Sequence, residues 1–119
     1  MELRQDLLDD LLGVVVEKAV DKADGMKSRY IANILWASAR LKDKCEVLLD
    51  AVPVFVEVAE EKVGDMNAQE VADSLWATAT LKDDAPAVLH LRPHLAAAVA
   101  HRKGGMIPQH IANTLWAIA

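Results

Sequence analysis

Histidines and paired carboxylates are the residues of this sequence whose side chains could perform metal or acid–base chemistry. His90 and His94 are four residues apart and His101 follows seven later, a spacing that can place imidazoles on one helical face around a metal ion. Pro93 disturbs that geometry and no carboxylate lies nearby, so we interpret them as surface histidines. The paired carboxylates lie at expected helix ends or exposed faces, and we interpret them as solvated charge; they are Asp9-Asp10, Glu60-Glu61 and Asp83-Asp84.

Enzymatic motifs are missing from the sequence. It has no glycine-rich phosphate loop and no nucleophile beside a base. We therefore predict that the protein is not an enzyme, with no catalytic residues, no metal site and no cofactor. Its function should depend on binding.

The composition predicts a folded, helical protein. Of the 119 residues, 53% are hydrophobic, which is above the level expected of a disordered segment. Five glycines, four prolines and an aromatic content of 4% favour helix over sheet. We expect an all-α fold in a single unit, residues 1–119.

Charge is distributed unevenly along the chain, and the sequence shows no targeting or membrane signal. All eighteen acidic residues lie at or before Asp84, so residues 1–84 have a net charge of −8 and the remainder +3. No apolar run reaches the roughly 20 residues that a bilayer requires, and no targeting peptide is visible. Cys45 is the one cysteine, so no intrachain disulfide can form and a reducing compartment is expected.

An internal repeat organises the chain. Trp36, Trp76 and Trp116 are forty residues apart, each within a Leu-Trp-Ala phrase, and many other positions keep the same phase. A period near forty is typical of stacked helical hairpins. We predict an α-solenoid of about three hairpin repeats, at about residues 5–44, 45–84 and 85–119, with the last truncated and the whole part of a longer array.

Each repeat is predicted to contain two helices. The tryptophan helix should span residues 28–41 in the first copy, start at a capping box formed by Asn67 and Glu70 in the second, and start near Pro108 in the third. The other helix should span residues 7–22, 45–62 and 86–102. We expect a kink or break at Pro53 and Pro93 and milder bending at Gly13.

The turns and the core can also be predicted from the sequence. The outer helices should end at glycines in the left-handed conformation, and the methionine that follows each turn should fill the hairpin. These turns are Asp24-Gly25, Gly64-Asp65 and Gly104-Gly105. An apolar stripe with steps of three and four defines the buried side of the tryptophan helix. The expected core residues of the repeat are Trp36, Trp76, Trp116, Leu35, Leu75 and Leu115.

The phrases at residues 67–79 and 107–119 resemble the signature helix of octotricopeptide repeats, which often occur in proteins with a RAP domain. The resemblance covers most of the chain and is weakest over residues 1–22. It implies an α-hairpin repeat in a chloroplast or mitochondrial factor that acts on RNA processing, stability or translation. It also implies single-stranded RNA as the ligand.

In repeat proteins that bind RNA, equivalent side chains on successive helices can each contact one base. Polar positions in phase, predicted to be exposed opposite the tryptophan stripe, are therefore the candidates for base contact: Asn33, Asp73 and Asn113; Arg29, Gln69 and Gln109; and Ser74 and Thr114, which follow Asp73 and Asn113. Cations at the helix end are candidates for phosphate contact: Arg40, Lys42 and Lys82.

Each of these interpretations has an alternative. The polar row can solvate the helices or form amide ladders between hairpins, and the cations can complement the helix dipole. The array can then serve as a protein–protein scaffold or an accessory subunit of an organellar assembly. A third alternative is an array whose open ends stack on further repeats or on another subunit.

Overall fold

The computed structural model describes residues 2–102 and Ala112. Within residues 2–102 the chain is helical and contains no strand, which confirms the predicted all-α class. The α-helices are α1 (Glu2–Lys22), α2 (Ser28–Arg40), α3 (Glu46–Lys62), α4 (Ala68–Leu81) and α5 (Arg92–Arg102). Short 3₁₀ helices occupy Ala23–Gly25, Val63–Asp65 and Pro86–Leu91.

The start of α4 follows the predicted capping box. The Asn67 side chain accepts a hydrogen bond from the Glu70 backbone amide at 2.8 Å, and the Glu70 carboxylate accepts one from the Asn67 amide at 3.2 Å. Two amides that the helix leaves without partners are thereby satisfied. At the equivalent position before α2, Lys27 makes no such side-chain bond, yet α2 begins at the predicted residue. The expected start at Pro108 lies outside the described residues.

The turns after α1 and α3 differ from the prediction. Both are 3₁₀ helices, and none of the described glycines has a positive φ, so the left-handed glycine turn is wrong there. The chain instead tightens for one turn and then leaves in an extended conformation at Met26 and Met66. Met66 is 1% exposed and Met26 is half-buried, which confirms that methionine fills this corner.

Proline has different effects in the two described outer segments that contain it. Pro53 lies exposed inside α3, which runs without a break from Glu46 to Lys62, so a break at Pro53 is wrong. Gly13 is likewise within the uninterrupted α1. The segment with Pro93 does break, into a 3₁₀ helix and α5, and the new helix starts at Arg92. Pro93 thus lies in a first turn, where its missing N–H costs no hydrogen bond.

The helices pack in two layers. In one layer α2 lies beside α4, and in the other α1 packs on α3, which packs on Pro86–Leu91. The layers join where α2 packs on α3 and α4 packs on α5. Between them lies the core, whose largest fully buried side chains include Phe55, Ile31 and Leu35. The first two tryptophan helices and the 3₁₀ helices before them each start forty residues apart.

Two negative findings concern the described residues alone. No helix among them has the length and apolar character needed to cross a membrane. Their histidine, cysteine and carboxylate side chains do not gather in groups of three or more that could hold a metal ion.

The capping box provides a test of helix stability. Asn67→Ala removes the acceptor for the Glu70 amide, and we expect unfolding free energy to fall by about 1 kcal/mol. Lys27→Ala, at the equivalent position without a side-chain cap, is the matched control and should change stability by less than about 0.5 kcal/mol. Urea unfolding of both variants measures the difference, and equal losses would contradict a stabilising role for the capping box.

Candidate nucleic-acid interface on the tryptophan helices

Trp36 faces outward, and Trp76 lies beside it at the edge of the core. Trp36 is 41% exposed, Trp76 is half-buried, and their ring centroids are 6.3 Å apart with an angle of 41° between the planes. The prediction that the indoles form the core is therefore wrong for Trp36 and only partly right for Trp76, which packs against the edge of the core. Trp116 lies outside the described residues.

The leucines that precede these tryptophans are buried as predicted. Leu35 is 1% exposed and Leu75 is 8% exposed. Because successive residues of a helix differ by about 100° in direction, a helix that centres its buried side on the leucine can leave the next residue at the boundary with solvent. The equivalent Leu115 lies outside the described residues.

An arginine completes the aromatic surface. The guanidinium carbon of Arg40 lies 5.1 Å from the centroid of the Trp36 ring, within the range of a cation–π interaction. Arg40 is exposed, lies one turn beyond Trp36 and belongs to the last turn of α2. A planar cation, an exposed indole and a second indole therefore share one surface, which we call the tryptophan face.

The predicted polar row lies on this same face. Asn33 is exposed and Asp73 is half-buried, and each precedes its tryptophan by three residues, a spacing that makes side chains neighbours on a helix. Asn33 is exposed as predicted, but the row does not lie opposite the tryptophans, because the Trp36 ring turns away from the core. Asn113 lies outside the described residues.

Residues one turn before the row already have partners. The Gln69 side chain donates a hydrogen bond to the Asp73 carboxylate at 2.8 Å, so these two side chains are linked along α4; the amide-ladder alternative placed such bonds between hairpins, and this one lies within a single helix. Arg29 is exposed and donates to the Tyr30 hydroxyl at 2.9 Å. Gln109 lies outside the described residues.

The position after the row does not contact solvent. Ser74 is 0% exposed and its hydroxyl donates to the sulfur of Met66 at 3.6 Å. Its candidate role in base contact is therefore wrong: α4 packs between α2 and α5, so the serine side of the helix is covered. Thr114, the equivalent residue of the third repeat, lies outside the described residues.

The two lysines at the helix ends differ in their surroundings. The Lys42 ammonium donates to the Thr80 carbonyl at 3.3 Å and lies 3.2 Å from the Asp84 carboxylate. It thus neutralises the C-terminal end of α4, as the helix-dipole alternative expects, and is less available for phosphate. Lys82 is exposed and keeps that candidate role.

Contacts at three places hold α2 and α4 in register. At one end the Ser28 hydroxyl lies 3.3 Å from the Glu70 carboxylate, and at the other Lys42 reaches Thr80 and Asp84. Between them the two indoles are in contact. The spacing of the rings on the tryptophan face is therefore set at both ends by polar bonds between the helices.

Charge is distributed unequally between the layers. Helix α2 contains two arginines and no acid, and α4 contains two acids and no base. The outer helices α1 and α3 together contain eleven acids and four bases. The negative charge of the described helices is therefore concentrated on the layer away from the tryptophan face.

Comparison with known proteins identifies no family. No family model matches the chain, and neither the curated proteins nor the solved structures include a significant match. The likeness to octotricopeptide repeats therefore stays an expectation carried by the repeated phrases.

The burial difference between neighbouring residues of α2 gives a stability test. Leu35→Ala empties a core position and should lower unfolding free energy by about 3 kcal/mol. Trp36→Ala removes an exposed ring with one aromatic and one cationic neighbour, and should lower it by about 1 kcal/mol. Urea unfolding compares them; equal losses would show that the indole is a core residue after all.

Arg29 also perturbs a titration that can be measured. Its hydrogen bond to the Tyr30 hydroxyl, together with the nearby positive charge, lowers the pKa of Tyr30 because both stabilise the phenolate. Arg29→Gln should raise that pKa toward the ordinary value of about 10. Tyr30 is the one tyrosine of the chain, so tyrosinate absorbance reports it directly. Arg40→Gln is the control and should leave the titration unchanged.

Proposed function

We propose that the tryptophan face binds single-stranded RNA, with the bases stacking on the indoles. The observation that carries the proposal is the outward Trp36 ring with Arg40 beside it and Trp76 at 6.3 Å. Aromatic side chains contribute about 1–3 kcal/mol per stacked base. Exposure of the apolar indole surface to water is unfavourable, and a flat ligand such as a base can cover that surface.

Neighbouring groups add hydrogen bonding and charge. Asn33 can donate to and accept from the edge of a base stacked on Trp36, whereas Asp73 can only accept when ionised. Arg40 and Lys82 supply positive charge for phosphates, which fixes position without reading sequence. The residues proposed to read bases are thus the same as those predicted from the sequence, but they lie beside the indoles and not opposite them.

The layered packing supports a solenoid as the setting of this face. Helices α2 and α4 start forty residues apart and lie side by side, and α1, α3 and Pro86–Leu91 follow one another in the second layer. In an array of such repeats the tryptophan face would extend by one indole per repeat. By its resemblance to octotricopeptide repeats, the protein would act on RNA in a chloroplast or mitochondrion.

A protein scaffold is the alternative function, and the charge of the outer layer favours it. The eleven acids of α1 and α3 repel a polyanion and attract a basic protein surface. An exposed tryptophan is also a common centre of protein–protein binding energy. RNA binding at low salt distinguishes the two functions, since the scaffold predicts none.

RNA binding can be tested by fluorescence anisotropy with a labelled, mixed-sequence single-stranded RNA. Trp36→Ala should weaken binding by about 1–3 kcal/mol, while Trp36→Phe keeps a stacking surface and should restore much of the loss. Arg40→Gln should reduce the slope of log affinity against log salt by about 0.7 if one phosphate contact is lost.

The matched control is Val47→Ala. Val47 is 50% exposed and lies on α3, in the other layer, so its loss should leave RNA affinity unchanged. Absence of binding by the unmodified protein at low salt, or equal weakening by Val47→Ala and Trp36→Ala, would reject the tryptophan face as an RNA site.

A further inference from the structure

Helix α1 exposes an apolar face. Five of its residues are between 45% and 62% exposed: Leu7, Leu8, Leu11, Val14 and Val15. They follow at steps that place them on one side of the helix, while Val16 and its neighbours on the other side pack against the core. Contiguous apolar patches of this kind mark interaction surfaces. We call these five residues the α1 face.

The repeat shows what covers this face inside the array. Forty residues later, Leu8 becomes Leu48 and Val15 becomes Phe55, which are 8% and 0% exposed, compared with 45% and 54% in α1. Helix α3 gains this burial because it packs against both α1 and α2. Val47, the equivalent of Leu7, stays 50% exposed in α3, so Leu8 and Val15 mark the part of the α1 face that a preceding repeat would cover.

The opposite end of the described array has a complementary surface. Arg92 and Ala96 of α5 are exposed, whereas Val52 and Val56, at the equivalent positions of α3, are 0% and 2% exposed. The following outer segment, Pro86–Leu91, packs on α3. Exposed alanines on α5 leave room for larger side chains, and the α1 face presents leucines and valines.

Charge also matches between the two ends. Helix α1 contains six acids and three bases, whereas residues 86–102 contain two arginines, three histidines and no acid. Opposite charges at the two ends favour contact between an α1 end and an α5 end, and like charges disfavour contact between two α1 ends. Between two copies of the chain, the charge pattern therefore favours the head-to-tail orientation over symmetric pairing.

We propose that the α1 face of one copy docks on α5 of a second copy, so that the protein assembles head to tail. The contact reproduces between chains the packing that α3 makes on α1 within a chain. Such an interface uses different surfaces on the two partners and does not close at a dimer unless the rotation forms a ring. It is independent of RNA binding, because it uses neither Trp36 nor Arg40.

The first experiment measures average mass by sedimentation over a range of protein concentrations. The unmodified protein should grow beyond a dimer as concentration rises, and added salt should weaken the assembly because the ends carry opposite charges. Leu11→Lys puts a cation on the α1 face and should raise the dissociation constant at least about tenfold. Val47→Lys, at an apolar α3 residue of similar exposure, is the control and should assemble normally.

A mixing experiment tests the orientation. Arg92→Glu damages the α5 end and leaves the α1 face intact, while Leu11→Lys does the reverse, so each variant alone should assemble at least about tenfold more weakly than the unmodified protein and stay monomeric at concentrations where the unmodified protein forms dimers. An equal mixture should form dimers containing one copy of each, joined through the two intact ends. Circular dichroism spectra that match the unmodified protein establish that both variants fold.

Three results would overturn the proposal. They are an unmodified protein that stays monomeric at all concentrations, growth that stops at a dimer insensitive to Arg92→Glu, and a mixture of the two variants that forms no dimer. The second result would assign the α1 face to symmetric pairing, which head-to-tail docking excludes.

Discussion

Side-by-side packing of α2 and α4 is the constraint on which the tryptophan face depends. Each helix buries a stripe centred on the leucine that precedes its tryptophan. Because the two helices start forty residues apart and pack side by side, residues at equivalent positions of the repeat lie next to each other. Polar bonds at the two ends of the pair hold this register, from Ser28 to Glu70 and from Lys42 to Thr80. The distance between the indoles follows from that register, because these bonds fix the position of α2 along α4 and each helix carries one of the two rings.

Burial and charge are divided unequally between the two layers. Helix α3 has a thoroughly apolar inner side, with Val52, Phe55 and Ala59 each 0% exposed, and acids on its outer side. These acids belong to the layer of α1 and α3, whereas the indoles belong to the layer of α2 and α4. At physiological ionic strength, charges beyond about 8 Å are largely screened, so net acidity of the chain does not by itself describe the field at the tryptophan face.

Local sequence signals predicted the helices well and the turns poorly. The capping box at Asn67, the start of α2 at Ser28 and the filling role of Met66 all depend on residues within one or two turns of each other. The turns after Gly25 and Gly64 differ because glycine permits a left-handed turn but does not require it. Pro53 is accommodated in α3, where its ring is exposed to solvent, and sequence could not show that.

The amino-acid sequence alone determined the forty-residue period, the helical class and the buried leucine at the centre of each described tryptophan helix. Only tertiary packing decided which side of that leucine would be covered. Ser74 and Trp76 are each about 100° from Leu75 on opposite sides of the helix, and hydropathy favours burying the tryptophan. Neighbouring helices instead cover the serine, which is small and can donate to Met66. A wide indole whose N–H needs a partner lies at the boundary with solvent.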